Sequence, residues 1–233
     1  MGLLDYSMPD TVEQPLLLAT ETCEQAIAFL RDEKNPTDFV LLTPKSAKMM
    51  VDNGVHVFMQ HGFAEGSQFS DMDYADAGVE FVDDFYQLAQ MVRTLVKYKP
   101  FSQDQIELCR QEQILISTQD FNQVTLPFVQ QMTAKKISAI SLNLLKDKDG
   151  DFILEKTLNE SQSPLIRSSA LSNFLAPMLM AFVCSPRLRF ALQRISPLMN
   201  ATYCFEGHVC HKELADKLKV PFKDVVSLCW DLN

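Results

Sequence analysis

Few residues in this chain stand at spacings that chemistry requires. Cys204, His208, Cys210 and His211 lie within eight residues and are the types that hold zinc, but C-x3-H-x-C-H is the spacing of neither a finger nor a ribbon. The segment reads as a hairpin followed by a helix. Asp147, Asp149, Gly150 and Asp151 have the composition of a calcium loop, yet the glycine stands fourth rather than sixth and Leu158 occupies the place of the bidentate glutamate. A polar turn is the expectation there. Lys97 and Lys99 differ from these clusters, because they end an apolar run and alternation puts both on one face of a strand. The carboxyl ends of parallel strands are where α/β folds place ligands, so a small anion is the ligand those lysines suit; two solvated lysines at a strand end are the alternative.

Other catalytic signatures are missing from the sequence. No G-x-S-x-G, H-E-x-x-H or C-x-x-C occurs, so a hydrolytic site would have to be assembled from residues far apart in the chain. Only seven glycines are present, and no three of them form G-x-G-x-x-G or the P-loop pattern. Phosphates bound on a backbone turn need glycine for close approach, so dinucleotide and nucleotide triphosphate chemistry is disfavoured and no cofactor is expected. Thirty acidic against 21 basic residues give a net charge of −9, with no basic cluster longer than Lys135-Lys136, which argues against nucleic acid and anionic membrane surfaces as partners.

These residues must be positioned by a core, and 233 residues at 47% hydrophobic content can build one without disulfides or metal. The six cysteines are scattered and Leu16-Leu17-Leu18 is too short for a signal core, so a cytoplasmic protein with reduced thiols is expected. The longest mainly apolar run, 174–184, holds eleven residues and Pro177, too short to cross a bilayer and suited to a buried helix.

Short apolar runs at 15–19, 55–60, 79–82, 94–98, 113–118 and 138–145 read as strands. Amphipathic stretches at 22–33, 45–53, 71–77, 83–91, 102–111 and 121–134 read as helices, with Thr22, Ser70 and Ser102 as capping types. From 165 to 200 the spacing is helical and broken by Pro177, Pro186 and Pro197, and a last helix spans 211–219. Alternating strands and helices predict an α/β fold, a flavodoxin-like doubly wound parallel sheet over 1–160, with additional C-terminal helices in 161–233 packing back on it.

Several stretches then carry a resemblance. Val40-Leu41-Leu42-Thr43-Pro44, Gly54-Val55-His56-Val57, Gly62-Phe63-Ala64-Glu65-Gly66-Ser67, Phe69-Ser70-Asp71 and Ala77-Gly78 follow in the order of R-V-A-L-T-P, G-H-E-V, G-A-G-E-G-S, F-x-D and A-G-A. Leu95-Val96-Lys97-Tyr98-Lys99-Pro100 is similar to L-x-K-V-K-E-P, and Gln113-Ile114-Leu115 to G-Q-I-L. Near the C-terminus, Leu171-Ser172-Asn173 to Pro177 and Asn200-Ala201-Thr202-Tyr203 to Val209 are similar to L-T-N-A-T-L-P and L-N-T-Y-K-G-K-V. In combination these stretches resemble the N-terminal domain of the alanine dehydrogenase and pyridine nucleotide transhydrogenase family.

The resemblance implies a lost chemistry. Where the family carries a whole nicotinamide-binding Rossmann domain, only about ten residues, between 161 and 171, stand here. The family lysine falls on Lys99, the carboxylate-binding arginine on Phe39, the acid/base histidine on Asp120, and a Y-E pair on Leu142-Asn143. A phenylalanine cannot pair with a carboxylate, and an aspartate ionises near pH 4 rather than near 7. Lys99, Lys97 and Asp120 remain as binding residues, with a Lys99–Asp120 ion pair as one expected arrangement. The function implied is a catalytically silent binding, regulatory or oligomerisation module for a small acid or amino acid; the alternative is a substrate-binding half that acts with a separate dinucleotide-binding protein. Leu175, Met178, Leu179, Phe182, Leu188 and Phe190 are expected to fold back on the sheet or to join two copies in a homodimer or larger homo-oligomer, the latter favoured.

Overall fold

The computed structural model describes residues 26–32 and 37–230. Six parallel strands form the centre of one sheet: β1 (Ala26–Phe29), β2 (His56–Met59), β3 (Glu80–Phe81), β4 (Thr94–Val96), β5 (Ile114–Ser117) and β6 (Ser138–Ser141). Their order is β3-β2-β1-β4-β5-β6, with β7 (Thr202–Phe205) antiparallel to β6 and β8 (His208–Val209) antiparallel to β7 beyond it. The central strands β1, β4 and β5 are buried on both faces, so they read as apolar runs rather than as alternation, whereas edge strand β3 is exposed at Glu80.

Helices cover each face. On one side α1 (Pro44–Asp52), α2 (Asp71–Asp76), α6 (Ile153–Glu160), α7 (Pro164–Val183), α8 (Leu188–Arg194), α9 (Ser196–Asn200) and α11 (Val225–Trp230) pack around Ile27, Phe29, Val57, Met59 and Ile116. On the other, α3 (Phe85–Met91), α4 (Gln103–Leu108), α5 (Leu126–Ala134) and α10 (Lys212–Leu218) pack on Ala28, Leu30, Leu95 and Leu115. The sheet is therefore doubly wound as the alternating pattern predicts.

Five local expectations are corrected. The stretch 22–33 contains the central strand β1 rather than a helix: Ile27, Ala28 and Phe29 are wholly buried between β2 and β4, and a short apolar run carries no periodicity to separate the two readings. The helix expected from 121 begins at Leu126, where Pro127 lies in the first turn, and the strand expected to 145 ends at Ser141 in a single 3-10 turn, Leu142–Leu144. Pro177 does not break α7; it and Asn173, whose carbonyl its ring leaves without an amide donor, lie on the solvent side. Cys184, just past α7, is disulfide-bonded, against the expectation of six reduced thiols, while Cys109, Cys204, Cys210 and Cys229 are free. The strand expected at 15–19 lies outside the described residues.

The apolar run taken as eleven residues belongs to a 20-residue helix, long and apolar enough in length and composition to cross a bilayer. Leu171, Leu175, Ala176, Leu179, Phe182 and Val183 of that helix are core residues. Its Ser168 and Ser172 hydroxyls accept the Val40 and Thr43 amides at 3.1 and 2.9 Å, so α7 satisfies the chain entering α1. Of the apolar residues expected either to fold back on the sheet or to join two copies, Leu175, Leu179, Phe182 and Leu188 are buried within one chain, Met178 is partly buried and Phe190 is exposed.

Candidate functional site

The strand order reverses between β1 and β4, and the chain leaving β4 there is Lys97-Tyr98-Lys99-Pro100. Lys97 continues the ladder through its amide to the Ile116 carbonyl at 3.0 Å, and its side chain is 6% exposed. Its Nζ donates to Gln105 Oε1 at 3.2 Å and lies 5.3 Å from the centre of the Phe101 ring. Gln105 is fixed by a capping box: its Oε1 also accepts the Ser102 amide at 3.1 Å while the Ser102 hydroxyl accepts the Gln105 amide. The Lys99 amide donates to Asp32 Oδ1 at 3.1 Å. Burial pushes the Asp32 carboxyl above its ordinary pKa, opposed by that amide and by the charges of Lys97 and Lys99.

Together Asp32, Phe85, Lys97, Lys99, Ser102, Asp104, Gln105 and Leu108 line a cavity of about 460 Å3. Its wall thus offers ammonium, carboxylate, amide and hydroxyl groups beside apolar surface. Lys97 and Lys99, paired in the sequence by their spacing, line the same cavity just past the end of β4. Asp32 and Gln105 were missed: Asp32 follows the central strand that was read as helix, and Gln105 was absorbed into the helix opened by Ser102.

The other two family positions lie elsewhere. Phe39 is buried, with Tyr98 edge-on at 5.1 Å and the Arg167 guanidinium 5.6 Å from its ring centre. Phe39 and Lys99 line separate spaces, which have Asp32 in common. Arg167 Nη2 pairs with Asp38 at 2.6 Å, while its buried Nε has no partner. The space beside Phe39, bounded by Leu30, Asp32, Thr37, Phe63 and Tyr98, has about 10 Å3, room for one water molecule. Asp120 lies on an exposed turn, where its Oδ1 accepts the Asn122 amide at 2.9 Å; among the described residues no ion pair joins it to Lys99. Leu142 is core, and Asn143 Oδ1 accepts the Gln119 amide at 2.8 Å.

The cysteine–histidine segment forms the β7–β8 hairpin, followed by His211 as the N-cap of α10. Asp147 closes a turn by accepting the Asp149 and Asp151 amides and the Lys156 ammonium, which holds its carboxyl below the usual range. Among the described residues no three His, Cys, Asp or Glu side chains stand close enough to share a metal ion.

A dinucleotide does not fit the switch point. The chain leaving β4 carries no glycine before α4, and its Lys97, Lys99, Pro100 and Ser102 side chains line the cavity where a pyrophosphate would need bare backbone.

No curated protein sequence matches this chain. Among solved structures it is similar to an L-alanine dehydrogenase, with 11% identity and a TM-score of 0.69, over 88% of this chain and 100% of that one. A transhydrogenase from Sinorhizobium meliloti shares 20% identity over 57% of this chain and 40% of that one, with a TM-score of 0.48. At 11% identity the likeness to the L-alanine dehydrogenase is one of fold. No nucleotide-binding domain interrupts this chain, since α6 ends at Glu160 and α7 starts at Pro164. The model of the family described as "Alanine dehydrogenase/PNT, N-terminal domain" matches residues 30–155, more than half of the 233 residues, and the chain belongs to that family.

Proposed function

We propose that this chain is a binding member of its family that holds a small carboxylate or amino acid at the end of β4 and carries out no hydride transfer. The observation behind the reading is the 460 Å3 cavity between β1 and β4, where Lys97 and Lys99 supply positive charge, Asp32 a carboxylate and Phe85 and Leu108 an apolar wall. Its volume suits a small ligand, and its mixed charge suits one with an acid and an amine. Loss of the family chemistry is supported by Phe39, whose ring fills the arginine position between Tyr98 and Arg167, and by Asp120, which stands on an exposed turn away from the lysines.

The test is a thermal-shift series of amino acids and 2-oxo acids on the wild type and Lys99→Ala, with NAD(H) turnover assayed beside it. Ligand at about 100 times its Kd stabilises the folded state by about 2.7 kcal/mol, or roughly 5–10 °C for a chain of this size. The expected result is a shift for at least one acid that Lys99→Ala abolishes, with no turnover. A wild type that responds to none of them, a shift retained in Lys99→Ala, or oxidation of an amino acid by NAD would each overturn the proposal.

A further inference from the structure

The turn that carries Asp120 is tied down by residues from the C-terminal part of the chain. Lys217 Nζ donates to the carbonyls of Phe121 and Asn122 at 2.9 and 2.7 Å. Tyr203 on β7 reaches Gln119 Oε1 at 3.4 Å and meets the Phe121 ring edge-on at 5.3 Å. The third tie is His211, whose imidazole stacks on Phe121 at 4.2 Å between centres and 11° between planes. The same imidazole caps α10, because its Nδ1 accepts the Leu214 amide at 3.2 Å.

An Nδ1 that accepts a hydrogen bond carries a lone pair, so this arrangement requires neutral histidine. Protonation would turn the acceptor into a donor facing another donor and would place a positive charge at the positive end of a helix. Burial holds the His211 pKa below its ordinary value, and both of these effects act in the same direction. The groups that favour the charge are Glu213 on the same helix and the Phe121 ring face. From the elements packed against it, the Lys217 ammonium is engaged with the turn carbonyls, the Asp120 carboxylate accepts the Asn122 amide, and Tyr203 is buried behind Phe121 and stays neutral.

We propose that neutral His211 is a pH-sensitive latch: it holds the Asp120 turn against the hairpin and α10, and protonation of its ring releases that turn. The inference stands apart from the ligand cavity, which His211 does not line. The closed state has a depressed pKa, so closure is fully favoured above the open-state pKa and weakens as pH falls through about 6.5.

The experiment is amide hydrogen exchange of residues 119–124 and Leu214 between pH 5 and 7.5, corrected for intrinsic exchange, on the wild type, His211→Asn and His208→Gln. Asparagine retains a cap acceptor without titrating, and His208 is the other histidine whose pKa is lowered. Expected are protection factors that fall about tenfold per pH unit at most below about 6.5 in the wild type and in His208→Gln, and stay flat in His211→Asn. Protection independent of pH in the wild type, or an unchanged pH dependence in His211→Asn, would overturn the latch. An NMR titration of the wild-type His211 ring gives the same decision without a variant: a midpoint below 6.5 supports it, and one at or above 6.5 overturns it.

Discussion

Replacing Phe39 by arginine installs the residue that the resemblance implies at this position and tests whether the ring there is a plug or merely a neutral filling. The ring is 5% exposed, edge-on to Tyr98 at 5.1 Å and covered by the Arg167 guanidinium at 5.6 Å. A second guanidinium in that space would meet the first across about 6 Å, a repulsion of about 3 kcal/mol at an effective dielectric constant of about 20. Burying a charge without a partner of its own costs about 3–5 kcal/mol, and the two effects overlap, since Asp38 already serves Arg167. Phe39→Arg is therefore expected to lose about 3–6 kcal/mol, on the order of 10 °C in Tm, while Phe39→Leu keeps an apolar filling and loses about 1–2 kcal/mol. Urea unfolding followed by circular dichroism measures both, with coincident probes to establish two-state behaviour. A Phe39→Arg protein within about 1 kcal/mol of wild type would refute the reasoning. So would a variant whose Tm rises with 2-oxo acids when that of the wild type does not, because the family pocket would then be open.

Leu179, 1% exposed in the middle of α7, belongs to the core of a single chain, so Leu179→Ala is expected to cost about 2–5 kcal/mol, with an unfolding midpoint that does not move with protein concentration. A midpoint that rises with concentration would place the helix between copies instead. Lys217→Met removes the ammonium that gathers the carbonyls of Phe121, Asn122 and Val124; at this partly exposed site the expected loss is about 1 kcal/mol. Hydrogen exchange should quicken in residues 121–124 at every pH, unlike the His211 effect, and unchanged exchange would show that the lysine is not a tie.

What the sequence made legible follows from which forces are local. Strands β2 to β6 and helices α1 to α5 announce themselves by apolar runs, caps such as Ser70 and Ser102, and prolines in first turns. The central strand β1 did not, because a strand buried on both faces has no alternation and Ile27-Ala28-Phe29 fits either element. That error hid Asp32, which lies where β1 ends. Lys97 and Lys99 were legible as a pair because they directly follow the apolar run of β4, and both line one cavity although they lie just past the strand's end. Gln105 and Arg167 were not, because each reaches its partner from another element: Gln105 from the first turn of α4, Arg167 from a helix 128 positions beyond Phe39. A resemblance can align Phe39, Lys99 and Asp120 with one family pocket, but a change of side-chain type at one position lets its neighbours repack, and contact depends on direction as well as register.

The residue at 39 and the short connection at 161–163 belong to one structural solution. Only residues 161–163 separate α6 from α7, and the first turns of α7 run beside the chain that enters α1: Ser168 holds the Val40 amide, Ser172 the Thr43 amide, and Arg167 lies over Phe39. An aromatic ring at 39 gives that guanidinium a face to rest on, and Asp38 gives it a counter-charge. An arginine at 39 would repel it. Position 39 is thus set by what α7 brings to it, and a second guanidinium there and this placement of Arg167 exclude one another in the same space. Lys97 and Lys99 line a separate, larger cavity that has only Asp32 in common with the small space beside Phe39, so a change at 39 leaves most of the wall around the lysines untouched.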